Sequence, residues 1–223
     1  ISGNNFTSTA YAWNARSEMK SVTQSGTYTF KYNTARQRTY RGPTNPQWYL
    51  YANGRILGEL NSTGATSAYT WGADGLAVQR RIVAGNSLYF HFGPQAETRY
   101  VTNSAGAVVL SYVYTAYGQT ISLVGTEYNR HRYGGKVGYF TDIKGQILAW
   151  HRWYEPQAYR WLNRDPISYD GGENTYAYVG GNPVNLVDPD GLIPVDTTWD
   201  GGTKEAVGHE EPRRTQLFKE PFC

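Results

Sequence analysis

The sequence predicts an all-β fold made of antiparallel hairpins, and three observations support this prediction. The apolar residues are largely aromatic, with 20 Tyr, 7 Trp and 7 Phe among 223 residues, and aromatic side chains favour strands. Glycine occurs 25 times, which is typical of a chain with many turns. Few windows place apolar residues at helical spacing, whereas pairs of aromatic residues separated by one residue recur along the first half of the chain.

The recurring unit is an aromatic pair followed by a short turn and an apolar strand. Copies begin at Tyr11, Tyr28, Tyr49, Tyr69, Tyr89 and Tyr112, at intervals of 17, 21, 20, 20 and 23 residues. Alternation along a strand places both aromatic residues of a pair on one face, and Asn53-Gly54 and Asp74-Gly75 suit two-residue hairpin turns. One hairpin cannot bury its apolar face alone, so residues 1–138 predict a stacked hairpin array. An ordinary β-sandwich with many tyrosines is the alternative, because its hairpins are also regularly spaced.

The rest of the chain divides into two segments of different composition. Residues 139–192 are rich in turn formers such as Asp165-Pro166, Gly180-Gly181-Asn182-Pro183 and Asp188-Pro189-Asp190-Gly191. Residues 193–223 hold 4 basic and 6 acidic side chains, a net charge of −2, and contain no tyrosine. This composition predicts a compact core segment over 139–192, followed by a polar tail that is disordered or the remnant of a further module.

Charge and cysteine content exclude several functional classes. The basic residues are scattered and never form a run longer than two, so we expect no nucleic-acid partner. The single cysteine, Cys223, rules out an internal disulfide, and no apolar run approaches the roughly 20 residues of a membrane helix. The chain begins at Ile1 without a signal peptide, and with the repeats this leads us to expect the end of a longer polypeptide.

The stretch from His151 to Leu192 resembles a known family in nearly every element. It reads HRWYEPQAYRWLNRDPISYDGGENTYAYVGGNPVNLVDPDGL and closely resembles the C-terminal core of RHS/YD-repeat proteins, while the hairpins upstream resemble degenerate YD repeats. Glu155 stands where the family usually has Asp, and the segment from Phe90 to Glu97 departs from its usual pattern. These departures weaken the match of the repeats and leave that of the core intact.

The resemblance implies both a fold and a function. Its fold is a spiralling β-sheet that closes into a hollow shell, of which this chain would form an arc. Such proteins are large bacterial secreted or cell-surface proteins, among them polymorphic toxins and the C components of toxin complexes. Their core cuts the chain just after the Asp–Pro–x–Gly–Leu motif, which frees a C-terminal payload. Here the cut would fall between Leu192 and Ile193, and the partners would be the rest of the parent shell and the payload.

Three residues match the self-cleavage residues of this family: Arg152, Asp165 and Asp188. Hydrolysis of an amide needs a base that activates water and an acid that protonates the leaving nitrogen. Two carboxylates held close together can supply both, because they do not ionise together readily. Arg152 would orient one carboxylate or stabilise developing negative charge. The alternative is that both aspartates are ordinary turn residues before proline.

Other chemistry has little support in the sequence. His91, His131, His151 and His209 follow no metal-binding spacing, so we expect neither a metal nor a cofactor, and alternation places His151 facing away from Arg152. Two further functions stay open: a non-enzymatic secreted or surface scaffold, and a truncated copy without activity. Residues 193–223 are too few for a typical toxin domain, so the payload would be missing, vestigial or a short peptide.

Overall fold

A computed structural model describes residues 9–73 and 75–197, and in this part of the chain the strands form three antiparallel sheets without an α-helix. The predicted turn residue Asp74 and the whole of 198–223, with His209 and Cys223, lie outside the described residues. The large sheet contains twelve strands in chain order, each paired with the next. Its strands are β1 Ala10–Trp13, β2 Met19–Thr23, β3 Thr27–Tyr32, β4 Arg38–Pro43, β5 Gln47–Ala52, β6 Arg55–Asn61, β7 Gly64–Gly72, β8 Gly75–Arg81, β9 Ser87–Phe92, β10 Thr98–Thr102, β11 Val108–Tyr114 and β12 Thr120–Val124.

Two smaller sheets follow the large one. The first has four strands, β13 Phe140–Thr141, β14 Ile147–Ala149, β15 Arg152–Glu155 and β16 Arg160–Trp161. The second pairs β17 Leu186–Val187 with β18 Val195–Asp196. Single 3-10 turns lie at Gly135–Val137, Ser168–Gly171 and Val179–Gly181. The predicted all-β fold of antiparallel hairpins is confirmed, and the core segment is turn-rich as expected.

The turn between β5 and β6 illustrates why the hairpins form where the sequence predicts them. Asn53 and Gly54 have φ values of 48° and 78°, and they join the paired residues Ala52 and Arg55. A two-residue turn with positive φ at both positions matches the right-handed twist of the flanking strands, and Asn-Gly adopts it at low cost. A side chain at Gly54 would also collide with the ring of Trp150, so this glycine lets the core approach the hairpin.

Alternation along the strands divides the large sheet into an inner and an outer face. In β5, Tyr49 is buried and Tyr51 is partly buried, whereas Leu50 between them is exposed. The aromatic pairs therefore share a face, as predicted. The inner face packs against the four-stranded sheet in one hydrophobic core, to which the small sheet contributes Phe140, Leu148 and Trp153.

A buried ion pair also joins the large sheet to the small one. The guanidinium of Arg38 in β4 binds the carboxylate of Asp142, which follows β13, and both residues are almost fully buried. The rings of Tyr49 and Phe140 lie 4.6 and 5.0 Å from the guanidinium carbon, which adds cation–π attraction inside the core. This contact fixes β13 and the strands that follow it against the inner face of the large sheet.

The described structure continues past Leu192, the predicted end of the core segment. Val195 pairs with Val187 and is buried against Val187 and Ala96, and the amide of Thr197 donates to the carbonyl of Asn185 at 2.9 Å. The described beginning of the predicted tail, residues 193–197, therefore packs against the core segment and the large sheet. Residues 193–223 are polar on average, but Val195 among them is apolar and completes a small hydrophobic cluster.

Candidate functional site

Arg152 is the first residue of β15 and stands at the centre of the candidate site. Its side chain is 3% exposed. Nη1 lies 2.8 Å from Asp165 Oδ2, and Nη2 lies 2.7 Å from Asp188 Oδ2. The two carboxylates are thus bound to neighbouring nitrogens of one guanidinium. The structure brings together the three residues that the sequence predicted, although 36 positions separate Arg152 from Asp188.

Asp165 is held by its own turn, which lies just after β16. Its Oδ1 accepts the amide of Ile167 at 3.0 Å, and its backbone amide donates to the carbonyl of Thr175. The turn chemistry of Asp before Pro is therefore present, and the side chain serves the turn and Arg152 at once. Gly171 is needed beside it, because a Cβ there would lie 2.4 Å from Asp165 Oδ2.

Asp188 follows β17 and begins a tight turn that folds back on its own carboxylate. Its Oδ1 accepts the amide of Leu192 at 2.9 Å, while Oδ2 accepts from Arg152. Gly191, with φ of 73°, allows the return of the chain: a Cβ there would lie 2.6 Å from the carbonyl oxygen of Ala149. Asp188 Oδ1 is thus hydrogen-bonded to the backbone nitrogen of Leu192. The carbonyl carbon of Leu192 is two covalent bonds from this nitrogen.

Three residues between positions 139 and 152 supply four donors that fix the backbone of the segment from Asp188 to Leu192, which we call the 188–192 loop. Tyr139 donates its hydroxyl to the carbonyl of Asp188 at 2.6 Å. His151 donates its backbone amide and ring Nδ1 to the carbonyl of Asp190, at 3.2 and 2.9 Å. Arg152 Nε donates to the carbonyl of Gly191 at 2.5 Å. His151 precedes β15, and its side chain binds the same loop as Arg152.

Burial and charge balance determine the electrostatics of the site. One cation faces two buried carboxylates, so the group carries excess negative charge when both are ionised. Burial raises the pKa of Asp188 to about 6, and neighbouring Asp190 adds to this, although Arg152 and the Leu192 amide oppose the shift. Desolvation therefore outweighs the ion pair, and this carboxyl group keeps a proton to a higher pH than an ordinary aspartate. The ring of Trp161 covers the guanidinium at 4.2 Å and closes the site on that side.

The bond between Leu192 and Ile193 lies inside a short hairpin. Both residues are partly buried, and β17 and β18 pair on either side of the loop that contains them. The chain before and after the bond is therefore anchored, and the bond itself stays beside Asp188.

The sequence analysis did not identify Tyr139 and Trp161 as parts of the site, since their positions near it depend on long-range packing. No cluster of potential metal ligands occurs in the described residues.

Comparison with known proteins finds relatives of this chain among bacterial toxins. It is 28% identical over 196 residues to the tRNA nuclease WapA of Bacillus subtilis, which covers 81% of this chain and 8% of WapA. It is 38% identical over 96 residues to the toxin subunit YenC2 of Yersinia entomophaga, which covers 41% of this chain and 10% of YenC2. These relatives are RHS-repeat and toxin-complex proteins, in agreement with the resemblance of the core segment. No family model matches it.

The fold of the chain agrees with a solved structure. The Photorhabdus luminescens Tc holotoxin pore superposes with a TM-score of 0.67 over 84% of this chain and 10% of that chain, at 23% identity. This superposition confirms the predicted fold, in which the antiparallel hairpins form part of an RHS-type β-shell. The chain spans about a tenth or less of the length of the relatives it matches. None of the helices in the described residues has the length and apolar character needed to cross a membrane.

Proposed function

We propose that this RHS-repeat chain cuts itself after Leu192 and so frees the segment that begins at Ile193. The observation that carries the proposal is the binding of two buried carboxylates, Asp165 and Asp188, to one guanidinium beside the bond. Two buried carboxyl groups around one cation favour a state with one proton between them, which supplies a base and an acid in one site.

The reaction would be hydrolysis of an amide with both carboxyl groups in defined roles. Asp165 accepts a proton from a water molecule, and the water oxygen forms a bond to the carbonyl carbon of Leu192. Asp188, whose pKa is raised to about 6 by burial, donates its proton to the nitrogen of Ile193 as the carbon–nitrogen bond breaks. The products are a carboxyl group on Leu192 and an amino group on Ile193. Arg152 balances the remaining negative charge.

The substrate is part of the same chain, which removes the need for a binding pocket. The Asp188 carboxylate already binds the amide of Leu192, and the 188–192 loop is fixed at three carbonyl groups. Orientation of this kind contributes several kcal/mol to a reaction, about 7–11 in well-oriented intramolecular cases. A buried pair of aspartates without metal or cofactor would therefore suffice.

In this proposal, the cut releases a C-terminal payload from the parent protein. The chain would form the C-terminal part of a secreted or cell-surface bacterial RHS shell, and the other partner would be a C-terminal payload. Among its relatives, WapA is named as a tRNA nuclease and YenC2 as a toxin subunit, which supports a toxin of the polymorphic or toxin-complex type.

Intact-mass measurement of the folded, expressed chain tests the proposal. We expect two fragments, 1–192 and 193–223, and persistence of the intact chain in folded protein would refute self-cleavage. Asp165→Asn and Asp188→Asn should each abolish the cut. The matched control is Asp170→Asn, because Asp170 is an exposed aspartate in the adjacent 3-10 turn and has no place in the mechanism.

One observation favours a second candidate, a scaffold that does not cut. Both carboxylate oxygens of Asp188 accept hydrogen bonds, and Asp165 accepts bonds from its turn and from Arg152. Such saturation also suits a static clamp that closes the last turns of the fold. An intact folded chain whose stability falls on Arg152 substitution would establish the scaffold in place of the enzyme.

A further inference from the structure

We propose that Tyr139 is a positioning residue for the self-cleavage reaction and holds the backbone of Asp188 through its hydroxyl group. The inference rests on the proposed function, since it concerns the same bond. Tyr139 is fully buried and precedes β13, whereas Asp188 lies 49 positions further along the chain. The hydroxyl donates to the carbonyl of Asp188 at 2.6 Å, a short bond between two groups withdrawn from solvent.

Tyr139 is itself held at both ends, so its hydroxyl has little freedom to move. Its backbone amide donates to the carbonyl of Gly134, and its carbonyl accepts the ring Nδ1 of His131 at 2.9 Å. Its ring lies where a Cβ at Gly134 would be, 2.2 Å from the nearest ring atom, so only glycine fits at that position. A donor anchored in this way fixes the acceptor more firmly than an exposed side chain would.

The bond to Tyr139 determines where the Asp188 carboxylate stands. The backbone of the 188–192 loop is bound at the carbonyls of Asp188, Asp190 and Gly191, and Tyr139 supplies the first of these anchors. The Asp188 side chain leaves the backbone at this anchored residue, beside Arg152 and the Leu192 amide. Without the Tyr139 hydroxyl, the loop would keep only the two carbonyl anchors near its far end, and the backbone from which the carboxylate projects would shift relative to the reacting bond.

The Tyr139 hydroxyl keeps its proton, and so remains a hydrogen-bond donor, as the pH changes. Burial raises the pKa of Tyr139 well above its ordinary value, and the charge of Asp188 adds to the shift. The group therefore stays protonated over the whole range in which Asp188 titrates. Because it contacts the carbonyl and not the carboxylate, it should affect the rate of the cut without changing the pH at which the rate reaches half its maximum.

The closing experiment compares Tyr139→Phe with Tyr154→Phe in the full chain. Tyr154 is an equally buried tyrosine of the same aromatic cluster, and its hydroxyl donates to a backbone carbonyl at 2.7 Å, but that carbonyl belongs to Tyr117. Cleavage would be followed by intact mass after refolding at pH values from 4 to 8. We expect about a 10- to 100-fold slower cut for Tyr139→Phe, an unchanged half-maximal pH, and the wild-type rate for Tyr154→Phe.

The outcomes separate this inference from the proposed function. If the wild-type chain is not cut, the proposed function fails and Tyr139 has no reaction to assist. If the wild type is cut and Tyr139→Phe is cut at the same rate, the proposed function stands and the positioning role is wrong. Equal slowing in both variants would mean that the loss is structural, and a shifted half-maximal pH would mean that Tyr139 acts on the carboxyl group; either result overturns the inference.

Discussion

Replacement of Arg152 by methionine should destabilise the fold strongly, whether or not the chain cuts itself. The substitution keeps a long apolar side chain beneath Trp161 and removes three donors. These are the contacts at 2.8 Å to Asp165, 2.7 Å to Asp188 and 2.5 Å to the Gly191 carbonyl. The two carboxylates would then be buried without their cation. Loss of one partner from a buried ion pair costs about 3–5 kcal/mol, and one cation shared by two carboxylates places the expected loss near 4 kcal/mol.

Two further variants test the cause of that loss. Arg152→Lys keeps the charge but cannot bind two carboxylates and a carbonyl in a fixed fork, so about half of the loss is expected. Adding Asp165→Asn and Asp188→Asn to Arg152→Met removes the orphaned charges, and should restore about 2 kcal/mol because the penalty came from unpaired ions.

Urea unfolding followed by tryptophan fluorescence measures these differences, with intact mass identifying the species in each sample. Arg80→Met is the control, because Arg80 is an exposed residue of β8 and surface substitutions usually change stability by no more than about 0.5 kcal/mol. The reasoning would be refuted if Arg152→Met unfolded within about 1 kcal/mol of the wild type, or if the asparagine changes gave no recovery.

Three further predictions follow from the site and its surroundings. The cleavage rate should fall as the pH rises through about 6, because Asp188 must keep its proton to act as the acid; a rate that rises through this range would reverse the roles of the two aspartates. Gly171→Ala should slow the cut, since its Cβ would lie 2.4 Å from Asp165 Oδ2, whereas Gly72→Ala, whose Cβ would meet no atom closer than 4.0 Å, serves as a control in the same mass assay. Burial lowers the pKa of His131 to about 4 in the folded chain. As the pH falls from about 6.5 towards 4, His131 is protonated in the unfolded chain but not in the folded one, so the free energy of unfolding decreases. Between pH 7 and 5 this loss is about 2 kcal/mol, and His131→Gln should remove it in urea unfolding. Asp188 shifts stability in the opposite direction over this range, so the comparison is made between the variant and the wild type.

The strands and their turns were predictable because their determinants are local. The Asn53-Gly54 turn follows from two adjacent residues that tolerate positive φ, and the burial of Tyr49 beside an exposed Leu50 follows from alternation. Asp165 and Asp188 were identified through the resemblance of their motifs to a family, since composition and spacing alone would equally fit turn residues. Tyr139 depended on contacts between residues about 50 positions apart, for which a single sequence carries no periodic signal.

The order in which the elements come together gives the proposed reaction a built-in condition. Arg152 belongs to β15, Asp165 follows β16 and Asp188 follows β17, so no two of the three share a strand. The guanidinium reaches both carboxylates only when the four-stranded sheet has formed and the 188–192 loop has closed on it. An unfolded chain therefore has no active pair, and the cut would report completion of the core. Refolding at several urea concentrations should show the cleavage rate falling in step with the native fraction; cutting that persists above the unfolding transition would contradict this dependence.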